Sequence, residues 1–506
     1  MAGGSINYNL HFVLFPYYES GHMLPMVDIA RILAQRGATV TIVTTPAGAN
    51  RLKPTINRAT IEAKHKIQLL ELALPLAEFG LPEGFEDSKL ISHKTAEQQL
   101  TLYRAMESLQ KPAEDLLRDQ LATPPDCIIA DFFFPWATEV ARKFEVPRLV
   151  VHGQGCFSLV CLDVIAVNKI RQGTESETEK MVLPGLPDRV EVTKLKIRGR
   201  SSTLSKVDFG MFTYACMQAE RAAFGTLVNS FKEVEPEYAK KLQKRRGSTT
   251  QVYCVGPVSL YNNNKDDDRG SKAAIDDHYC LQWLNQREAE SVLYVSFGSV
   301  VPVSTKQSIE LGLGLEATNK PFIWCVRTKS KQLEEWFSES RFEERVRGRG
   351  LIIHGWAPQL LILSHPSVGG FLTHCGWNSL VEAICAGVPI VTWPIKWDQF
   401  YNEIYMVQIL KIGVSVGVEE ALYSDDFEDM EPLVNRDSIK TAVNRLLDEE
   451  HGIVKECRQR VRKLAQMAKG AMAQGGSSYL SVSKLFQDVS DFRRRRRRAQ
   501  ENKQGE

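Results

Sequence analysis

The sequence is poor in the features that mark several large classes of protein. Its ten cysteines include no CxxC pair, and several stand inside apolar runs, so we expect buried, reduced thiols and no disulfide framework. No apolar run approaches the roughly 18 residues of a membrane span. The first residues show no basic region followed by an apolar stretch and a cleavage site. We therefore expect a cytoplasmic protein without stable membrane insertion.

Charge and histidine spacing argue against two further kinds of ligand. The 63 Lys and Arg residues nearly balance the 61 Asp and Glu residues, which disfavours a nucleic-acid partner. His354, His365 and His374 are spaced too irregularly for zinc, so we expect no metal. The length of 506 residues allows two or three domains, and the apolar content of 43% suffices for large cores.

The first half of the chain predicts a βαβ unit with a histidine at its ligand-binding end. A strand at 10–16, a helix at 25–35 and a strand at 38–45 follow one another. The loop between the first two lacks the GxGxxG fingerprint, which disfavours a nicotinamide oxidoreductase. It carries His22 at the carboxyl end of the first strand, where open α/β sheets bind ligands. Asp131 also follows an apolar run, CIIA, at the end of a predicted strand.

The second half contains a strand, a turn and a helix that together suit a diphosphate. The run 368–373 predicts a buried strand, and the turn HCGWNS follows it. We expect the helix to begin near Asn378 or Ser379, both residues that cap helices. Its unpaired N–H groups and the positive end of its dipole would bind phosphates without a metal. His374 could add a donor, and Glu382 could accept from ribose hydroxyls.

The whole stretch 356–399 closely resembles the signature box of the plant family-one UDP-glycosyltransferases, enzymes of secondary metabolism. For the nucleoside, the resemblance implies that Trp356 stacks on uracil, that Gln359 contacts the uridine and that Glu382 binds the ribose. It implies that His374, Asn378 and Ser379 bind the diphosphate. It also implies that Trp377, Asp398 and Gln399 bind the hexose. The predicted donor-site residues are Ser299, Trp356, Ala357, Gln359, His374, Gly376, Trp377, Asn378, Ser379, Glu382, Asp398 and Gln399.

The same resemblance implies the GT-B fold, in which two Rossmann-like α/β domains face a cleft. Residues 1–250 would bind the acceptor, 251–480 would bind the UDP-sugar, and 481–506 would form a crossing helix and a basic tail. His22 would be the general base and Asp131 its partner, since a nearby carboxylate stabilises imidazolium and fixes its tautomer. In that family a glutamine at the position of Gln399 goes with glucose more often than with galactose.

We therefore expect an inverting O-glucosyltransferase that uses UDP-glucose as a co-substrate and needs no cofactor. Its acceptor would be a small apolar plant metabolite with a hydroxyl, such as a triterpenoid sapogenin, a flavonoid or a hormone, and the enzyme would be a monomer. A GT-B-shaped sugar-nucleotide epimerase and a catalytically silent metabolite-binding protein are the alternatives. The candidates to line an acceptor pocket, some of which must be core, are Tyr17, Tyr18, Glu19, Phe132, Phe133, Phe134, Trp136 and Phe157.

Several features depart from the family pattern or fall outside it. Glu19 stands where a small or amide residue is expected, and Trp397 stands where small residues are usual. The polar segments within 240–277 predict a linker between the domains. The arginine run 493–498 is typical of a solvated, disordered tail, and the acidic patch 424–432 is typical of a surface loop.

Overall fold

The computed structural model describes most of the chain, and the structural statements below concern those residues. They are 9–61, 64–86, 95–168, 176–198, 206–247, 250–261, 273–299, 303–327, 330–422, 428, 430–448 and 452–504.

The strands of the first lobe are short and mostly apolar. In chain order they are β1 (His11–Phe15), β2 (Thr39–Thr44), β3 (Ile67–Glu71), β4 (Cys127–Asp131), β5 (Arg148–His152), β6 (Met181–Val182), β7 (Glu191–Val192), β8 (Gly225–Val228) and β9 (Gln251–Cys254). Seven of them form one parallel sheet in the order β3-β2-β1-β4-β5-β8-β9, and β6 pairs with β7 alone. β1, β4 and β5 are buried along their whole length, as parallel strands covered on both faces must be.

Helices cover both faces of this sheet. They are α1 (Ser20–Gln35), α2 (Pro46–Ile61), α3 (Ala96–Glu107), α4 (Gln110–Gln120), α5 (Ala137–Lys143), α6 (Cys156–Val167), α7 (Lys194–Arg198), α8 (Lys206–Arg221) and α9 (Pro236–Arg246), with 3-10 turns at Leu76–Phe79 and Val258–Tyr261. Side chains alternate along β1, so Phe12 and Leu14 enter one apolar core while Val13 and Phe15 enter the other.

The second lobe repeats this plan. Its strands are β10 (Val292–Ser296), β11 (Phe322–Val326), β12 (Gly350–His354), β13 (Val368–Thr373), β14 (Ile390–Thr392) and β15 (Gly413–Ser415). They form a parallel sheet in the order β12-β11-β10-β13-β14-β15. The two parallel sheets confirm the predicted pair of Rossmann-like α/β domains.

The helices of the second lobe connect these strands. They are α10 (Asp277–Asn285), α11 (Thr305–Thr318), α12 (Lys331–Glu339), α13 (Phe342–Arg345), α14 (Gln359–Leu363), α15 (Trp377–Ala386), α16 (Gln399–Ile404) with a π-helical turn at Tyr405–Ile409, α17 (Arg436–Leu447) and α18 (Gly452–Met472). The core of this lobe continues into the first lobe, because Phe157 stacks on Tyr405 with ring centroids 4.7 Å apart.

The last helix, α19 (Ser477–Gln504), returns to the first lobe. The Tyr253 hydroxyl donates to Asp488 Oδ2 over 2.7 Å, and Phe486 packs on Phe12 with centroids 5.5 Å apart. Ser478 Oγ donates to the carbonyl of Gly256 over 2.5 Å. The chain passes between the lobes twice, near Gly256 and near Ser478, and these two segments lie next to each other. The predicted crossing of the final helix is confirmed.

The basic run 493–498 is part of α19 and is not the disordered tail that its charge predicts. Arg493 Nη1 donates to the carbonyl of Asn9 over 3.0 Å and to Asp126 over 3.2 Å. Arg496 Nη1 donates to the carbonyl of Phe144 over 3.2 Å. Backbone carbonyls and a carboxylate of the first lobe thus bind part of the run, which a count of like charges does not reveal.

One predicted domain boundary differs from the structure. β9 pairs with β8 in the first sheet, although the boundary predicted at 250/251 assigns it to the second domain. The strand has only four residues, and the polar segments on either side of it resemble a linker. Of that predicted linker, 248–249 and 262–272 lie outside the described residues, as do 424–427 and 429 of the acidic patch.

All ten cysteines are free, and nine of them are buried, which agrees with their predicted place inside apolar runs. Within the described ranges, no helix combines the length and apolar character needed to cross a membrane.

Candidate active site

His22 and Asp131 lie at the carboxyl ends of neighbouring strands, as predicted. α1 begins at Ser20, before the expected start, so His22 occupies its first turn. His22 Nδ1 is 2.8 Å from Asp131 Oδ2, and Asp131 Oδ1 accepts from the backbone N–H of Phe133 over 3.0 Å. Because the carboxylate is an acceptor, Nδ1 keeps its proton when the ring is neutral, and Nε2 is then the basic atom.

The charge around His22 favours imidazolium. Burial alone lowers the pKa of His22, but the charge and hydrogen bond of Asp131, with smaller contributions from Glu19 and Asp398, raise it to about 9. Gly153 packs against the ring, and a Cβ there would lie 3.1 Å from its atoms. His22 is therefore a fixed and strongly basic imidazole.

His374 occupies a tight space between two loops of the second lobe. Gly298 has a φ of +71°, and a Cβ on it would lie 2.6 Å from the imidazole of His374. A Cβ on Gly376 would overlap the same ring. Burial lowers the pKa of His374 to about 4, so the ring is neutral at pH 7. The turn that carries Ser299 and the turn that carries His374 therefore converge, as predicted.

The amino terminus of α15 presents free amides next to His374. The helix begins at Trp377, one residue before the predicted start near Asn378 or Ser379, but Gly376 is the N-cap residue and neither predicted side chain caps the helix. The Gly376 carbonyl accepts the first hydrogen bond of the helix, from Leu380 N over 3.1 Å. The first backbone amides of α15 have no intrahelical acceptor, and they suit an anion.

The side chain of Trp377 does not face the predicted sugar position. It is 2% exposed, and Nε1 donates to the backbone carbonyl of Asn229 in the first lobe over 2.7 Å. Its ring packs so closely on Gly155 that a Cβ there would lie 2.7 Å away. Trp377 therefore joins the two lobes, and only its backbone can serve a ligand at the helix end.

Asn378 forms a second link between the lobes. Its Nδ2 atom donates to the carbonyl of Gly21 over 2.5 Å, and its Oδ1 atom accepts from Asn229 Nδ2 over 2.9 Å. Gly21 directly precedes His22 in the chain. The first turn of α1 and the first turn of α15 are thus held against each other, and the side chain of Asn378 is engaged by protein groups.

Two of the residues predicted to bind the nucleoside, Gln359 and Glu382, are hydrogen-bonded to each other. Gln359 Nε2 donates to Glu382 Oε2 over 2.7 Å and is 3.3 Å from Ser379 Oγ. Trp356 has the guanidinium of Arg327 5.2 Å from its ring centroid, and Ala357 is buried. These residues lie together, as the predicted signature box requires.

The predicted sugar end is built on a buried amide. Asn402 Nδ2 donates to Asp398 Oδ2 and to the carbonyl of Cys375, each over 2.8 Å, and its Oδ1 atom accepts from Ser158 Oγ over 2.6 Å. Burial raises the pKa of Asp398. The side-chain oxygen of Gln399 accepts from the backbone N–H groups of residues 395 and 396, so its amide nitrogen is the atom left for a ligand.

Comparison with known proteins decides the family. The family described as UDP-glucoronosyl and UDP-glucosyl transferase matches residues 256–452. UDP-glycosyltransferase 73E1 of Stevia rebaudiana is 54% identical over 96% of this chain and 97% of its own length. The chain belongs to the UDP-glycosyltransferase family.

Solved structures agree on the fold of this glycosyltransferase. The structure of Glycyrrhiza uralensis UGT73P12 complexed with glycyrrhetinic acid 3-O-monoglucuronide has a TM-score of 0.87 and 33% identity, over 98% of both chains. The structure of Phytolacca americana UGT2 complexed with UDP-2fluoro-glucose and pterostilbene has a TM-score of 0.71 and 27% identity, over 95% of this chain and 100% of the other. The predicted family, GT-B fold and enzyme class are confirmed.

An aromatic wall stands beside His22 in the glycosyltransferase. Tyr17 and Phe133 lie with ring centroids 5.4 and 5.7 Å from the imidazole. Phe133 stacks on Tyr103, which stacks on Phe212 at 4.3 Å. The sequence interpretation missed Tyr103 and Phe212, because only the packing of α3 and α8 brings them there.

Several of the predicted acceptor-pocket residues are core instead. Tyr18, Phe134 and Trp136 are buried together in the first lobe. Phe157 lies between Tyr238 and Tyr405, at the junction of the two lobes. An aromatic residue in a strand-end loop fits a core or a pocket equally well by sequence, and only its neighbours decide.

The linking residues of the site were also missed. Asn229 accepts from Trp377 and donates to Asn378, and Asn402 connects the sugar end to Ser158. Their partners are far away in the sequence and mostly in the other lobe, so no local pattern marks them. A polar residue directly after a buried strand, as Asn229 is after β8, was the one available signal.

Proposed function

We propose that the protein is an inverting, metal-independent O-glucosyltransferase that transfers glucose from UDP-glucose to a hydroxyl of a small apolar plant metabolite. We further propose that it acts as a cytosolic monomer, a location supported by its free cysteines.

One observation carries the proposal. The residue before the basic imidazole is hydrogen-bonded to the first turn of the anion-binding helix, since Asn378 Nδ2 donates to the Gly21 carbonyl over 2.5 Å. A group bound at the amides of α15 would therefore lie near Nε2 of His22. A base on one side and an anion site on the other are what the displacement of a nucleoside diphosphate requires.

The chemistry follows from that placement. The acceptor hydroxyl gives its proton to His22 Nε2 while its oxygen attacks the anomeric carbon of the sugar. The bond from that carbon to the diphosphate oxygen breaks with its electron pair on UDP, and the configuration inverts to a β-glucoside. The helix amides and the neutral imidazole of His374 donate to the departing diphosphate, which is the role a metal has in other enzymes.

The choice of glucose rests on the loop that begins α16. Asp398 offers a carboxylate and Gln399 an amide nitrogen at the predicted sugar position. The related Phytolacca americana enzyme was solved with UDP-2fluoro-glucose, which supports a glucosyl donor.

The choice of an apolar acceptor rests on the aromatic group beside His22, in which the part-exposed ring of Phe133 is backed by the buried rings of Tyr17, Tyr103 and Phe212. An apolar face beside the base favours a flat or fused-ring compound whose hydroxyl can reach His22. The Glycyrrhiza uralensis relative was solved with glycyrrhetinic acid 3-O-monoglucuronide, a triterpenoid ligand, and this favours triterpenoids over flavonols and hormones as the first class to test.

The test is UDP release from UDP-glucose across triterpenoids, flavonols and hormones, with NMR of the product. We expect acceptor-dependent release, a β-linked glucoside, no loss on chelation of metals, and loss of transfer to alcohols in H22A. H278A, which removes an exposed histidine, is the matched control. An α-linked product would contradict the single displacement. An epimer formed from UDP-glucose alone would favour the epimerase. Binding of UDP-glucose or of an acceptor without turnover would favour a catalytically silent binding protein.

A further inference from the structure

The turn between β14 and α16 holds a lysine in a fixed position at the sugar end of the cleft. Gln399 Oε1 accepts from Ile395 N over 2.8 Å and from Lys396 N over 3.0 Å, so the turn is closed by two hydrogen bonds. Trp397 adopts a left-handed φ of +58° and is 43% exposed. This strained, bulky residue makes the turn unusual, since a small residue would adopt that φ at lower cost.

Trp397 places its ring beneath the lysine. Lys396 Nζ lies 4.1 Å from the Trp397 ring centroid, which is within the range of a cation–π interaction. The ring therefore orients the ammonium group and leaves its hydrogens free for an acceptor. The strained backbone of Trp397 is thus what places the ring under the ammonium group.

The ammonium group of Lys396 lacks a counter-ion in the part of the chain that the structure describes, where no carboxylate lies within ion-pair distance of it. Burial lowers the pKa of Lys396 to about 8, against the opposing effect of Glu19, so the group is still mostly protonated at pH 7. A partly desolvated cation without an anionic partner is costly, and an anion supplied by a ligand would relieve that cost.

Lys396 stands on the turn that carries the predicted sugar-binding residues Asp398 and Gln399, and Gln399 Oε1 accepts from its backbone N–H over 3.0 Å. Glu19, which directly precedes α1, acts electrostatically on both Lys396 and His22. Asp398, two residues after Lys396, also acts on His22. A substrate group that meets Lys396 would thus lie next to the predicted hexose position, where it can belong to the donor sugar or to the acceptor.

We propose that Lys396, oriented by Trp397, binds a carboxylate of the substrate and gives the enzyme a preference for an acidic substrate. This inference rests on the proposed transfer reaction. The carboxylate has two sources, a carboxyl group on the acceptor, which is compatible with the proposed UDP-glucose donor, or a hexuronic acid in the donor, which would take the place of glucose. Glu19 opposes the same anion and limits how tightly it is bound.

The test compares paired substrates that differ only in the carboxylate. The donor arm uses UDP-glucuronate and UDP-glucose with one neutral acceptor. The acceptor arm uses UDP-glucose with a triterpenoid carboxylic acid and with its methyl ester. The variants are K396M, K396R, E19Q and the control K331M, which removes an exposed lysine of α12 (89% exposed).

In one arm we expect K396M to lower kcat/KM for the acidic substrate by about tenfold to a hundredfold, as for loss of a hydrogen bond between charged groups. For the matched neutral substrate, K396M should change kcat/KM by less than about twofold. K396R should retain the preference, E19Q should strengthen it, and K331M should change neither. The arm that responds identifies the source. Equal losses for acidic and neutral substrates, or no loss in either arm, would overturn the inference.

Failure of the reaction itself is recognised separately. If wild-type enzyme releases no UDP with any acceptor, the proposed function fails, and calorimetric binding of the same four compounds to wild type and K396M still tests the carboxylate site. Weaker binding of one acid alone supports the site, and unchanged binding of both acids contradicts it.

Discussion

Replacement of Asp131 by asparagine tests the catalytic pair of the glycosyltransferase most directly. Asp131 is the main cause that raises the pKa of His22 from 6.5 to about 9. That rise corresponds to a net preference for imidazolium of about 3 kcal/mol. In wild-type enzyme roughly one His22 in a hundred is neutral at pH 7 before substrates bind. We therefore expect kcat/KM to rise about fiftyfold from pH 7 to pH 9, because kcat/KM follows the free enzyme.

In D131N the negative charge is gone, so the pKa of His22 falls and the rise in kcat/KM moves to lower pH. An asparagine amide can donate to Nδ1, which would place the proton on Nε2 and remove the base from the cleft. The plateau should then fall by about 10²- to 10⁴-fold with an alcohol acceptor, and less with a phenol, which is more acidic.

The assay is UDP release at subsaturating acceptor from pH 6 to 10, for wild type, D131N and D115N. D115N alters an exposed carboxylate of α4 that pairs with Lys111 and should leave the profile unchanged. A D131N profile with the wild-type midpoint and plateau would refute the argument that Asp131 sets the basicity of His22.

Three further predictions concern the donor side. G298A should weaken UDP-glucose binding about tenfold or more, with some loss of thermal stability, because its Cβ would displace His374 and its φ of +71° is strained for alanine; normal KM would contradict this. N402A should lower the free energy of unfolding by about 1–3 kcal/mol in urea titrations, since it removes the partner of the Ser158 hydroxyl and one partner of Asp398. Burial raises the pKa of Glu403 to about 7, so its folded form holds a proton that the unfolded form loses above 4.5. Stability should therefore fall by about 3 kcal/mol between pH 4.5 and 7 relative to E403Q, and a constant difference between the two proteins would be inconsistent with that shift.

Much of the fold can be predicted because its signals are local. Apolar strands separated by helical patterns indicate two α/β domains, and β1, β4, β10 and β13 lie where these patterns place them. β9 was assigned to the wrong domain because four residues between polar segments carry little periodicity. The arginine run was misread since charge alone does not show the carbonyl groups that Arg493 and Arg496 bind.

Part of the candidate site could likewise be predicted from local signals, and part of it could not. His22 and Asp131 could be placed together because parallel strands end at one edge of a sheet, and the structure puts them 2.8 Å apart. The side-chain contacts of Trp377 and Asn378 could not be predicted, since both depend on how two separately folded lobes meet. Their assignment to sugar and diphosphate came from family resemblance and stays a prediction.

The hydrogen bond from Ser478 to Gly256 has a consequence for how the enzyme opens. The chain passes between the lobes near Gly256 and near Ser478, and these two segments are held next to each other. A hinge rotation of the lobes about these two segments would strain neither of them, whereas a sliding or twisting movement would stretch one. The gap must then widen on the far side, and each turnover would break and remake the contact between Asn378 and Gly21. Product release would thereby also unlatch the imidazole from the nucleotide lobe.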